Sequence, residues 1–272
     1  MDIIGFILKA YVCILLFRSV MTRQELYFNA VGKFIASATE PIFGTVLKSV
    51  PKEKADRYIP LLILFITLLY GIIDFAITSK PIFYAILLAI HKMALFLMLF
   101  YVVSVILGSF VNTYGASVFT TYFYRLGLFW VKLARGIINI PGNKIIVIAI
   151  IIIFILFVVF DFFLWIAITG FTAKTVILSY SLKLALKSGL FGLLTLLNYF
   201  KWLIIIRVLM TWVTPDPRNP IVQLIASLTD PVMEPFRRII PPLGVIDISP
   251  IILIFLVEFV RMFLFNFINK IL

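Results

Sequence analysis

Residues 145–168 read IIVIAIIIIFILFVVFDFFLWIAI, a run in which Asp161 is the sole ionisable side chain. A helix needs roughly 20 apolar residues to cross about 30 Å of hydrocarbon, so this stretch is long enough to span. It is apolar on every face, unlike the alternating strand of a membrane barrel or the one-sided stripe of a soluble helix. Working outward, comparable runs lie at residues 3–21, 59–78, 82–111, 189–213 and 250–267. The whole chain follows the same pattern: 63% of its residues are hydrophobic and 13% charged, more apolar surface than a water-soluble core hides. The expected fold class is therefore all-α, a polytopic helical membrane protein of about six transmembrane helices. The first run lacks a basic start and a small-residue cleavage site, and it reads as a retained span rather than a removable signal.

The formal net charge is +12, yet Lys and Arg are spread between the apolar runs rather than gathered in a basic domain. Topology explains that distribution better than nucleic acid does, and no direct nucleic-acid partner is expected. The segment after the first span holds Arg23, Lys33, Lys48, Lys52, Lys54 and Arg57; that after the third, Arg125, Lys132 and Arg135; that after the fifth, Arg218, Arg237 and Arg238. The opposite segments hold only Lys80 and the set Lys174, Lys183 and Lys187. The positive-inside rule puts the richer set in the cytoplasm and both termini outside a bacterial inner (cytoplasmic) membrane. Cys13 is the single cysteine, which excludes an intrachain disulfide and a cysteine-based zinc site.

A second pattern lies between the spans. Ile35-Ala36-Ser37-Ala38-Thr39-Glu40-Pro41 recurs as Ile225-Ala226-Ser227-Leu228-Thr229-Asp230-Pro231, and Pro51 and Pro60 keep step with Pro241 and Pro250. Upstream, Phe17-Arg18-Ser19-Val20-Met21-Thr22 matches Ile206-Arg207-Val208-Leu209-Met210-Thr211 after a one-residue gap. Thr39, Glu40, Pro41, Thr229, Asp230 and Pro231 form the repeat signature. Ile221, Leu224, Ile225 and Leu228 recur at helical spacing, as do Tyr27, Val31, Phe34, Ile35 and Ala38, which predicts two amphipathic helices at the membrane surface. Pro231 and Pro235 are expected to end or kink the second. The domain organisation is then an N-terminal repeat at 1–80, a central membrane region at 81–180 and a C-terminal repeat at 181–272. In the centre, Arg135-Gly136-Ile137-Ile138 aligns with Arg237-Arg238-Ile239-Ile240 and Gly142 with Gly244, but the Thr-acid-Pro signature is missing, leaving descent and coincidence both open.

The second copy resembles the YggT family, also called YlmG. The resemblance is carried by Arg207-Val208-Leu209-Met210-Thr211-Trp212, Pro215-Asp216-Pro217-Arg218-Asn219-Pro220-Ile221-Val222, Leu228-Thr229-Asp230-Pro231, Pro235-Phe236-Arg237-Arg238-Ile239-Ile240-Pro241, Leu243-Gly244 and Asp247-Ile248-Ser249-Pro250. It is strong over residues 198–260 and weak over 6–69, where the Asp-Pro-Arg-Asn-Pro loop is missing, Leu47-Lys48 replaces the arginine pair and Arg57-Tyr58-Ile59-Pro60 replaces Asp-Ile-Ser-Pro. The resemblance implies a membrane protein associated with osmotic-stress tolerance, cell or plastid division and nucleoid distribution, or, in some plastid members, haem attachment. His91 is the single histidine and there is no Cys-x-x-Cys-His, so neither a bis-histidine nor a covalent haem site fits within one chain and no cofactor is expected.

Ionisable residues at membrane depth carry the chemistry, because burying one in hydrocarbon costs about 2.5–3.5 kcal/mol. They are Asp74, Asp161, Lys201, Arg207, Glu258 and Arg261, with His91 near a span start. Glu258 and Arg261 are spaced to pair on one helix, and Arg207 is expected to reach Glu258 from the adjacent span. Arg207, Glu258, Arg261 and Asp161 are the candidate intramembrane ion-pair residues, and Arg218, Arg237 and Arg238 the candidate contacts to anionic lipid or a partner. Asp230 and Glu40 are expected at the ends of the surface helices. No nucleophile, base and orienting group assemble from the sequence, so no catalytic and no metal-binding residue is assigned, and an enzyme is not expected. The expectation is a non-enzymatic membrane scaffold or assembly factor working with the lipid bilayer and with membrane-protein partners or further copies of itself. The alternative is a small-ion channel or transporter, since duplicated halves with charges at depth also build transporters.

Overall fold

The computed structural model describes residues 3–46, 55–109, 118–138, 140, 142, 144–173, 178–213, 216, 219–240 and 247–272. Its helices are α1 (Ile3–Val20), α2 (Arg23–Phe28), α3 (Ala30–Val46), α4 (Ile59–Thr78), α5 (Ile82–Ser109), α6 (Val118–Ile137), α7 (Lys144–Ala173), α8 (Leu178–Val213), α9 (Pro220–Ile239) and α10 (Ser249–Ile271), with a 3-10 turn at Ala55–Tyr58 before α4. Among the described residues there is no strand. Among the described residues six helices, α1, α4, α5, α7, α8 and α10, are long and apolar enough to cross a membrane.

Local chemistry sets the ends. Pro60 and Pro250 sit in the first turns of α4 and α10, where the missing N–H costs no ladder bond. Thr22 and Glu25 form a capping box at α2: the Glu25 amide donates to Thr22 Oγ1 at 3.3 Å, and the Thr22 amide to Glu25 Oε2 at 2.7 Å. Asn29 then breaks the helix, accepting from the Val31 amide at 3.0 Å through its side chain. A Cβ on Gly32 would lie 1.9 Å from the Glu25 carbonyl oxygen, so the tight junction between α2 and α3 requires glycine there.

Three expectations need correction. Helix α8 begins at Leu178 rather than at residue 189; Lys183 and Lys187 ride its first turns, and Lys187 lies 5.6 Å from the Phe191 ring with its stem along the apolar helix. Pro231 and Pro235, expected to end or kink the second surface helix, lie inside α9 and do not end it, and Pro41 likewise lies inside α3. Each proline removes one ladder bond, and α9 continues because Met233 is packed between the two prolines and Arg238 bonds Glu234 one turn back at 2.6 Å. The first of the two expected surface helices is also broken at Asn29: Tyr27 lies in α2, while Val31, Phe34, Ile35 and Ala38 lie in α3, where Ile35, Ala36, Thr39 and Phe43 are buried and Phe34 is exposed.

The chain divides into two compact units, Met1–Met98 with Phe160–Leu178, and Leu99–Val159 with Ser179–Leu272. In the first, α1 packs on α3 and α4, burying Val12, Leu15, Leu16, Ile35, Leu62 and Ile66. Leu87 of α5 meets Leu164 and Ile168 of α7. In the second, Ile204 of α8, Met233 of α9 and Leu253 and Val257 of α10 form one core, and α9 also contacts α6. Buried positions recur between the units at the offset of the sequence repeat: Leu15 and Ile204, Ile35 and Ile225, Thr39 and Thr229, Phe43 and Met233, Ile63 and Leu253. Large apolar side chains such as Phe255, Phe259, Phe263 and Phe267 face outward, as a helix solvated by lipid requires.

Candidate functional site

The charged groups converge in three places. In the first, Arg207 near the end of α8 holds Asp230 of α9 with two hydrogen bonds, Nε to Oδ1 at 3.1 Å and Nη2 to Oδ2 at 3.3 Å. The fork geometry fixes the angle of one helix on the other as well as their distance. Beside it Thr229 is fully buried, and its hydroxyl donates to the Ile225 carbonyl at 2.8 Å, which lets a polar side chain enter a dry interface. The N-terminal unit places Arg18 near the end of α1. Its Nη1 donates to Thr39 Oγ1, its Nε donates to Asp56 Oδ1 at 3.0 Å, and its guanidinium lies 4.0 Å from the Phe43 ring centroid. Thr39 is also fully buried and donates to the Ile35 carbonyl at 2.7 Å. The carboxylate that serves the arginine comes from a different place in each unit: Asp56, from the turn before α4, serves Arg18, while Glu40 accepts from the Tyr27 hydroxyl at 3.3 Å. Asp230 and Glu40 thus lie within their helices, not at the ends.

The second place is Glu258 on α10. It accepts from Arg261 one turn along and from Lys201 Nζ of α8 at 2.8 Å, so one carboxylate ties two cations. Arg207 does not join it; Lys201 takes the cross-helix position expected of Arg207, because Arg207 is committed to Asp230.

The third was not legible as a site. Asp161, with no exposed surface, lies 2.5 Å from His91 Nδ1 through Oδ1 and accepts from Trp165 Nε1 at 3.1 Å through Oδ2. His91 sits inside α5 rather than at its start, with its ring edge-on to Trp165 at 5.4 Å. The partners are 70 residues apart in the chain, and the available signal was that Asp161 is the sole ionisable group in its apolar run while His91, beside Lys92, interrupts another.

The basic turn is less free than its composition suggests. Arg237 donates to Asp247 Oδ2 at 2.8 Å, and Arg238 pairs with Glu234. Burial pushes the Asp247 carboxyl up, but hydrogen bonds from the Ser249 side chain and amide and from Arg237 outweigh it and hold the group below the ordinary carboxylate value. Arg218, with the repeat-marking prolines at 51 and 241, lies outside the described residues.

Residues 186–268 match the family described as CCB3/YggT. The similar proteins include an uncharacterized protein of Pseudomonas aeruginosa, 36% identical over 70 residues that cover 26% of this chain and 36% of the relative. The uncharacterized protein YggT of Escherichia coli K12 is 38% identical over 61 residues, covering 22% of this chain and 32% of the relative. YlmG homolog protein 2, chloroplastic, of Arabidopsis thaliana is 42% identical over 61 residues, covering 22% and 24% respectively. The chain thus spans about a third of the length of the bacterial relatives. No solved structure matches. The matched segment contains both the Arg207–Asp230 and the Lys201–Glu258–Arg261 clusters, so it is the part of the chain similar to the CCB3/YggT family that carries these charge pairs.

Proposed function

We propose that the protein is a non-enzymatic scaffold or assembly factor of the bacterial cell membrane, serving envelope processes such as osmotic-stress tolerance or cell division. The observation that carries this reading is the pair of arginine anchors. Arg18 and Arg207, at equivalent places in the repeat, each tie the end of a long apolar helix to the threonine-bearing helix that follows. Charges used this way hold helices in register and do no chemistry. α3 and α9 then act as amphipathic elbows at the membrane surface, in two duplicated hairpins, with their polar faces turned to the cytoplasm and both termini outside. α6 supports extending the pattern to the centre, because it too lies between two span-length helices and has basic residues along one side. Partners are membrane proteins or further copies of the chain. The test is recovery of neighbours by crosslinking in the native membrane: Arg237→Ala with Arg238→Ala is expected to reduce it while Glu258→Gln leaves it unchanged, and full recovery by the double variant contradicts the reading.

Conduction of protons or small ions is the second reading, favoured by one observation, the ionisable His91–Asp161 pair buried within long apolar helices. Flux through proteoliposomes that falls with Asp161→Asn supports it, and flux equal to that of empty vesicles eliminates it.

A further inference from the structure

In the second unit a cavity of about 210 Å³ opens between α5, α6 and the first turn of α7. Its origin is a close crossing. A Cβ on Gly127 would lie 3.0 Å from the Ser104 carbonyl oxygen, and one on Gly108 would lie 2.8 Å from Tyr124 Cα, so α5 and α6 touch backbone to backbone. Beyond that contact Leu128, Val131 and Arg135 follow at one-turn spacing along α6 and face the cavity, with Val105 on one side and Ile145 and Ile146 on the other. The lining is mixed: Val105, Leu128, Val131, Ile145 and Ile146 form an apolar stretch, Ser104, Ser109 and Tyr124 add polar groups, and Arg135 contributes a guanidinium.

Charge supplies the second half of the argument. α6 holds Arg125, Lys132 and Arg135 and no acidic residue. Among the described residues no carboxylate pairs with Lys132 or Arg135, whereas Arg207, Arg237 and Arg238 are each matched by Asp230, Asp247 and Glu234. Lys132 and Arg135 lie in the last two turns of the helix, where its dipole stabilises positive charge. A free phosphate would satisfy Arg135 but leave Val105, Leu128, Val131, Ile145 and Ile146 without an occupant, whereas a phospholipid satisfies both.

We propose that this cavity binds one anionic phospholipid, its phosphate on Arg135 and an acyl chain along Leu128, Val131 and Ile145. The proposal is independent of the scaffold reading. The test uses the full chain reconstituted in vesicles of phosphatidylglycerol or of phosphatidylcholine, with retained lipid counted by native mass spectrometry after mild extraction. Wild type is expected to keep phosphatidylglycerol in preference. Arg135→Gln should lower retention about fivefold, the worth of about 1 kcal/mol for one basic residue at a charged membrane surface. Val131→Trp, which fills the cavity and keeps the charge, should lower it too, while Lys270→Gln, at an exposed position in the last turn of α10, should not. Equal retention by wild type and Arg135→Gln overturns the site, as does equal retention of the two lipids. Displacement by inorganic phosphate with no effect of Val131→Trp identifies a simple anion site instead and also overturns it.

Discussion

At the scale of single residues, the arginine anchors are the strongest local constraint. Their side chains are largely covered, with 22% of Arg207 and 32% of Asp230 exposed, so removing either partner leaves the other short of hydrogen bonds in a poorly hydrated place. A double-mutant cycle of Arg207→Ala and Asp230→Ala, read by thermal unfolding in detergent, should give a coupling of about 1–2 kcal/mol. Additive single effects would mean that the pair is incidental. Asp247 makes a pH-dependent contribution. Its native pKa lies below the unfolded value, so the native state binds fewer protons in the acid range. The stabilisation is complete above the ordinary carboxylate range and is lost as pH falls through the depressed native value. Asp247→Asn should therefore lower the unfolding temperature at neutral pH and flatten its decline on acidification; parallel wild-type and variant profiles would contradict the assignment.

At the scale of elements, span positions were legible because length and all-round apolarity are properties of a single run, as in residues 145–168. Helices α3 and α9 were legible from the spacing of Ile35 and Ala38 or Ile225 and Leu228, but which side chains of α3 are buried was not, since Phe34 is as apolar as Ile35 and in lipid an exposed phenylalanine carries no penalty. The pairing of Arg207 with Asp230 rather than Glu258 was hidden for a related reason: helical period locates a charge on its own helix, while the choice of partner depends on helix rotation and crossing. His91 and Asp161 were hidden by sequence separation alone. Close crossings are equally invisible in composition and make sharp predictions. A Cβ on Gly71 of α4 would lie 2.8 Å from Ile86 Cα of α5. Gly71→Leu should force these helices apart and cost about 1–3 kcal/mol, read as a lower unfolding temperature in detergent. An unchanged melt would show that the crossing is not tight.

At the scale of the whole chain, one design accounts for both the composition and the placement of charge. Among the described residues six long apolar helices supply the lipid-facing bulk, and Arg18, Lys201, Glu258, Arg207 and Asp230 join helices or turns to one another, whereas one carboxylate oxygen of Asp74 is buried without a hydrogen bond. Thr39 of α3 and Thr229 of α9 are both fully buried and donate to carbonyls of their own helices. The most direct measurement is the immersion depth of spin labels along both elbows in lipid vesicles, read from relaxation by oxygen and by a water-soluble nickel chelate, in a Cys13→Ala background. Labels at Lys33 and Ser37 of α3, and at Gln223, Glu234 and Arg238 of α9, should all report one shallow, headgroup-level depth, while a label at Ile155 of α7 reports the bilayer interior. A depth that increases steadily along α9, as in a crossing helix, or a label set fully in water, would contradict the account.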